Sequence, residues 1–242
     1  MIDLLESPDF YTRLYTLQLL AAILENRPER TQECVYTAPL GISRLASILD
    51  DKRDAIRNGN HEYCSLPKCK ELTHVLEAIL LLVRLSDGHQ DVQKIIAFEN
   101  AFDRIFNIID VEGGVDGGIV VQDSLQLLTN LLAYNASNQV LFRETGFVPR
   151  LYKLFNVEGE IPPYAMEKRN NNLHMTLGVC RACIAPGGQG TPANQVTITP
   201  CLIHWQNTYD TTARLLPQRN FSAGSRLGLL QHQRFWRPSR GT

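Results

Sequence analysis

Three groups of residues in this chain have types and spacings that could do chemistry. The first is His61-x2-Cys64-x4-Cys69-x4-His74, four soft ligands within 14 residues. A structural zinc ion takes such donors in a tetrahedron with its cysteines deprotonated, but this spacing matches no common finger. The second is Cys180-x2-Cys183, the spacing of a redox pair or of half a zinc site. It sits on an apolar helical stripe with no second pair in register, so packed core thiols are the preferred reading. The third is a ladder of arginines. Arg44, Arg104 and Arg150 each stand five or so residues before the end of a helix, and Ser47, Asn107 and Lys153 follow one turn on, on the same face. Three guanidinium groups in a row would attract a carboxylate-rich segment of a partner. The competing reading pairs each arginine with an acid of its own or a neighbouring repeat, such as Asp103 or Glu99.

Hydrolysis and nucleotide chemistry find no support. There is no Gly-x-Ser-x-Gly elbow. The glycine pairs at 113–114, 117–118 and 187–188 form no phosphate loop, since neither GxxxxGK[ST] nor a GxGxxG after a strand occurs. No catalytic residue, cofactor or metal is expected, and the six-residue ladder is the candidate partner-binding site.

The elements that position this ladder are helices. Phe10, Leu14, Leu17, Leu20, Ala21 and Leu24 recur at helical spacing behind a cap-like Ser7-Pro8-Asp9. A short helix follows at about 30–37, then a third that closes near Leu49. The stretch 78–109 repeats this order, and 119–155 repeats it again, with Pro149 in the first turn of its third helix. The long helices carry LQLLAAIL (17–24), AILLLVRL (78–85) and LQLLTNLL (125–132), and the middle helices carry Gln32, Gln93 and Gln139. A unit of this kind cannot bury its apolar face alone, so it must stack on neighbours. The expected fold is all-α: an armadillo/HEAT-like α-solenoid of three to four repeats over 1–190, with a poorly ordered C-terminal tail.

The long-helix anchors are 47 residues apart from the second copy to the third, but 61 from the first to the second. The excess lies in Gly59–Leu76, read as an insertion within a helix. A fourth long helix is expected from about Ala165 to Ala185. Beyond it the periodicity fades, and residues 191–242 are expected to be irregular or disordered. That tail carries six arginines (214, 219, 226, 234, 237, 240) against one acid, Asp210. They are too sparse to argue for nucleic-acid binding. The formal charge of the whole chain is −1, which excludes a generally basic nucleic-acid binder. The N-terminus lacks the basic and apolar regions of a signal peptide, and no window is apolar enough to span a bilayer. The chain is expected to be cytoplasmic, with its six cysteines reduced.

The runs IIAFENAFDRIFNII, DGGIVVQDSLQLLTNLL and NASNQVLFRE, with PLGISRLASILDDKRDAIRN upstream, resemble the globular head of the general vesicular transport factors, the long Golgi vesicle tethers. The resemblance covers about Leu4 to Gln195 apart from Gly59–Leu76. It implies an armadillo-like head and a non-enzymatic tethering function in endoplasmic reticulum–Golgi and intra-Golgi transport. It also implies Rab GTPase, SNARE and golgin partners, a location peripheral to Golgi or vesicle membrane, and a homodimer in the full-length family. The family's head extends beyond this chain on both sides. Both interruptions of the period fall where the resemblance stops, which reads as a truncated or mis-spliced product with a retained intron at the insert. An armadillo-type adaptor that binds an acidic peptide in another pathway is the alternative function.

Overall fold

The computed structural model describes residues 1–50, 67–156, 163–185 and 191–215. The chain divides into two units, 1–203 and 204–242, and of the second the described part is the C-terminal portion of a helix, 204–215. Every regular element among the described residues is helical. The long helices are α1 (Phe10–Asn26), α4 (Pro67–Ser86), α7 (Ile119–Leu132) and α10 (Pro163–Cys183). Behind them come the middle helices α2 (Pro28–Thr37), α5 (Gln90–Phe98) and α8 (Ala136–Glu144), and the third helices α3 (Gly41–Ser47), α6 (Ala101–Val111) and α9 (Val148–Phe155). The last helix is α11 (Thr191–Leu215). Long helices pack in series, α1 on α4, α4 on α7 and α7 on α10. The result is an α-solenoid of the armadillo type.

Local chemistry sets the boundaries. Asp9 caps α1 by accepting from the Thr12 amide and hydroxyl, both at 2.7 Å. The hydroxyl bond above all, then the amide bond, holds the Asp9 carboxyl below its ordinary value. Pro28 opens α2 and Pro149 lies in the first turn of α9, where a missing N–H costs nothing. The middle helices of the second and third repeats are capped at one register position: His89 Nδ1 accepts from the Val92 amide and Asn135 Oδ1 from the Asn138 amide, each at 3.3 Å.

Third helices are entered through a left-handed residue. Leu40 (φ 55°), Asn100 (φ 60°) and Gly146 (φ 78°) occupy this position, four residues before Arg44, Arg104 and Arg150. Glycine and asparagine tolerate that conformation; leucine carries a cost. The third helices of the first two repeats, α3 together with the 3-10 turn Ile48–Asp50 that follows it and α6, share one burial pattern, with 42, 45, 46, 48 and 49 inside and 102, 105, 106, 108 and 109 matching them. Between α6, α8 and the turn into α9, Phe102, Phe106, Phe142 and Phe147 form a continuous aromatic cluster with ring centroids 5.1–6.0 Å apart.

Three expectations are corrected. The period from the second repeat to the third is 46 residues, since Gly88 and Tyr134, Asn100 and Gly146, and Arg104 and Arg150 stand in equivalent places. A leucine-rich run admits a slip of one residue; left-handed turns and charged markers do not. Next, residues 67–76, assigned to an insertion that interrupts a helix, form the first half of α4. His74 and Val75 are buried there, and His74 Nε2 lies 3.0 Å from the Phe10 carbonyl oxygen. Residues 59–66 lie outside the described residues. Finally, residues 191–215, expected to be irregular, are helical. Asn194, Ile198 and Cys201 make a buried stripe at i, i+4, i+7, concealed in the sequence because its first member is polar. Residues 216–242 lie outside the described residues.

Candidate functional site

The third helices bring the arginine ladder into register along one surface, and each guanidinium is bonded. Arg44 donates to Asp3 at 2.5 Å and to Glu6 at 2.9 Å. Arg104 meets Asp50 at 2.8 Å. Arg150 donates to Asp103 at 2.9 Å, Asp110 at 2.8 Å and Asn107 Oδ1 at 2.9 Å, with its Cζ 4.9 Å from the Phe106 ring centroid. Asp50 and Asp110 are equivalent, each six residues after the arginine of its own repeat. So Arg104 and Arg150 both reach back to the end of the preceding third helix. The arginines are recessed and the acids stand out: side-chain exposure is 17% at Arg104 against 55% at Asp50. The surface presents carboxylates, which argues against attraction of an acidic segment. Ser47, Asn107 and Lys153 are exposed at their equivalent positions. Ser47 Oγ donates to the Arg44 carbonyl (2.7 Å) and Asn107 Nδ2 to Asp103 (3.1 Å).

Behind this surface the middle helices are joined by side-chain amides. Gln93 Nε2 donates to the Ser86 carbonyl at 2.9 Å and Gln139 Nε2 to the Leu132 carbonyl at 3.0 Å, each seven residues back at the end of its own long helix. Gln139 Nε2 also reaches the Ala182 carbonyl in the next repeat at 2.9 Å. Asn138 Nδ2 donates to the carbonyls of Leu131 (2.9 Å) and Gln93 (3.0 Å). Asn194 Nδ2 does the same one repeat on, to Cys183 (2.9 Å) and Gln139 (3.3 Å). The sequence carries the signal: Asn194-Gln195-Val196 repeats Asn138-Gln139-Val140. The first turns of α11 therefore stand where the middle helix of a fourth repeat belongs.

The other candidate sites resolve into structure. Cys180 and Cys183 sit where α7 has Leu128 and Leu131, as the matching bonds to Leu131 and Cys183 require, and both thiols are buried. Burial raises the Cys180 pKa, with smaller contributions from Cys183 and Cys201, and burial pushes Cys183 up to about 12. Thiols that keep their protons are neither nucleophiles nor good ligands. The side chains of His61, Cys64 and Cys69 lie outside the described residues, and no cluster of three or more potential metal ligands occurs among the described ones. The glycine link is held from α10: Arg169 pairs twice with Asp116, and Asn172 Nδ2 donates to the carbonyls of Val115 (2.8 Å) and Gly117 (3.0 Å). No helix among the described residues is long and apolar enough to cross a membrane.

No family model matches the chain. It is 36% identical over 197 residues to the intracellular protein transport protein USO1 of Saccharomyces cerevisiae, a match that covers 81% of this chain and 10% of that protein. It is 37% identical over 186 residues to the human general vesicular transport factor p115, covering 77% of this chain and 17% of that one. The crystal structure of Uso1-2 superposes with a TM-score of 0.69 at 34% identity, over 82% of this chain and 27% of the solved one. The chain thus spans between a tenth and a fifth of the length of these two curated relatives.

Proposed function

The chain belongs to the Uso1/p115 family of vesicular transport factors and represents part of the armadillo-like head, and from that premise we propose that it is a non-enzymatic protein-interaction scaffold for vesicle tethering. One observation carries the reading: the resemblance runs through consecutive repeats whose third helices present equivalent exposed positions along one surface. A stack of this kind offers an extended platform and no enclosed reaction chamber. On it, Ser47, Asn107 and Lys153 are the contact positions, while Arg44, Arg104 and Arg150 hold the acidic rows beside them. The transport steps are those between endoplasmic reticulum and Golgi and within the Golgi. The partners are a Rab GTPase, SNARE proteins and other golgins, at the surface of the Golgi or vesicle membrane, with the full-length protein a homodimer.

The alternative, an adaptor for an acidic peptide, needs guanidinium groups free to bind it, and the ion pairs count against it. The two readings separate in a capture experiment. The purified chain, immobilised, is expected to retain a Rab GTPase, a SNARE or a golgin from cytosol, with about tenfold less retained by the N107E/K153E variant. Retention of acidic proteins unconnected with vesicle traffic would decide for the adaptor. Equal retention by the variant would remove the third-helix surface from the mechanism.

A further inference from the structure

Two register positions carry the charge that the third-helix surface shows to solvent. Asp50, Asp110 and Asn156 share one, and Ser47, Asn107 and Lys153 share the other, one turn earlier. Asp50 and Asp110 are held alike. Each meets the recessed arginine of the next repeat, Arg104 or Arg150, through Oδ2 at 2.8 Å, and each side chain is 55% exposed. Neither Oδ1 is bonded to a described residue. Asp103 differs, since Arg150 takes its Oδ1 and Asn107 its Oδ2. The staples therefore fix Asp50 and Asp110 with one carboxylate oxygen free to accept.

The third repeat reverses the sign. Asn156 stands in place of the aspartate, and Lys153 in place of Ser47 and Asn107. Lys153 is exposed and pairs with no acid among the described residues. From the first repeat to the third the row reads carboxylate, carboxylate, ammonium. Ser47 and Asn107 stay exposed with a further third helix beside them, so their register position is open wherever the stack continues. The pattern belongs to the body of the stack and not to either end of the chain.

We propose that this surface docks an extended segment of a partner protein with two basic side chains followed by an acidic one, at intervals of about three residues. The interval follows from geometry: neighbouring packed helices lie about 8–10 Å apart, and an extended chain advances about 3.3 Å per residue. The basic pair meets Asp50 and Asp110, and the acid meets Lys153. Charge order then acts as a filter, because a segment of equal net charge with its acid in the middle sets like charges against Asp110 and Lys153. The proposal rests on the reading of the third helices as the tethering face and states the chemistry of what that face takes.

The test uses the whole chain and end-blocked peptides with serine as spacer: Lys-Ser-Ser-Lys-Ser-Ser-Glu, its reordered form Lys-Ser-Ser-Glu-Ser-Ser-Lys, and an all-lysine form. The reordered form has the same composition, and neither chain direction aligns it with the row. Amide NMR titration gives both the Kd and the residues that move. The first peptide is expected to bind about tenfold tighter than the reordered one, with shifts confined to α3, α6, α9 and the residues that end them. D50N/D110N is expected to abolish the difference. K153E leaves every staple in place and is expected to favour the all-lysine peptide over the first by about tenfold, so the outcome does not hang on the aspartate variant folding. Equal binding of the first and reordered peptides, shifts elsewhere, or an unchanged preference in K153E overturns the proposal. Capture from cytosol reads the tethering role separately. If capture depends on the third-helix surface while the peptides bind alike, the face stands and this chemistry falls; if the peptides are told apart while capture is indifferent to the surface, the tethering reading falls and this chemistry stands.

Discussion

The junction between the first and second repeats and the junction between the second and third are built on one plan and sealed differently. At the first, Gln32 Nε2 reaches the carbonyls of Leu85 (3.2 Å) and Asp87 (3.1 Å) in a setting partly open to solvent, and Gln18 meets Glu77 on the surface. At the second, Asn135 and Asn138 close on Gln93 in the interior. Thr31 stands where the third repeat has Asn138, and its hydroxyl is spent within its own repeat, on Arg27. The Arg104–Asp50 staple has its counterpart in Arg150, which has three partners and a ring beneath it. One repeat geometry therefore tolerates joints of different tightness. The difference lies in whether the polar groups that cross the joint are shielded from water, since a buried amide left without its partner costs far more than an exposed one.

The largest effect is expected just beyond these joints. Asp116→Ala leaves Arg169 buried and unpaired, and is expected to cost about 3 kcal/mol in urea unfolding. Asn138→Ala strips partners from two buried carbonyls and should cost about 2–3 kcal/mol, whereas Gln32→Ala, the same kind of change at the open joint, should cost less than about 1 kcal/mol. Equal losses at the two sites would erase the distinction between sealed and open joints.

A pH titration separates the thiol-packed region from the rest. Cys180 and Cys183 keep their protons in the folded state well above the ordinary cysteine value of 9.0, with Cys183 pushed up to about 12. The unfolded chain ionises first, so it binds fewer protons than the native state and stability falls as pH rises. The loss begins near pH 9 and continues to about pH 12, at about 1.4 kcal/mol per pH unit for each such thiol. The C180L/C183L variant, which takes the residues of α7, should flatten that slope. A further small effect concerns the entry to the third helices. Leu40→Gly relieves a left-handed leucine and is expected to stabilise by about 1 kcal/mol, and Gly146→Ala at the equivalent place to destabilise by about as much.

Much of this architecture is legible in the sequence. Leucines at helical spacing and the recurring Gln32, Gln93 and Gln139 reveal the repeats. The exact partners of the arginines are not legible, because they depend on how far one third helix lies from the next. The sequence offers Asp103 and Glu99 as acids in reach; the stack selects Asp3, Glu6, Asp50, Asp103 and Asp110 and gives Glu99 to Ser43 at 2.6 Å. The fourth middle helix is hidden for another reason. Its repeated Asn-Gln-Val is plain, but a search for apolar stripes passes over a buried asparagine whose value lies in two carbonyls it satisfies. The CxxC spacing misleads in the opposite direction, since two cysteines can fill leucine positions without any chemistry of their own.

The staples along the third helices have a mechanical consequence. Those of Arg104 and Arg150 reach back by one repeat and lie on the third-helix surface, while the amides of Asn138 and Gln139 sit in the buried interior. Dissolved ions act on the first set and scarcely on the second. Near 1 M salt, where the screening length falls to about 3 Å, the ionic edge slackens and the amide spine holds. The stack is then expected to loosen along one side before it unfolds, which small-angle X-ray scattering and circular dichroism across a salt titration would check.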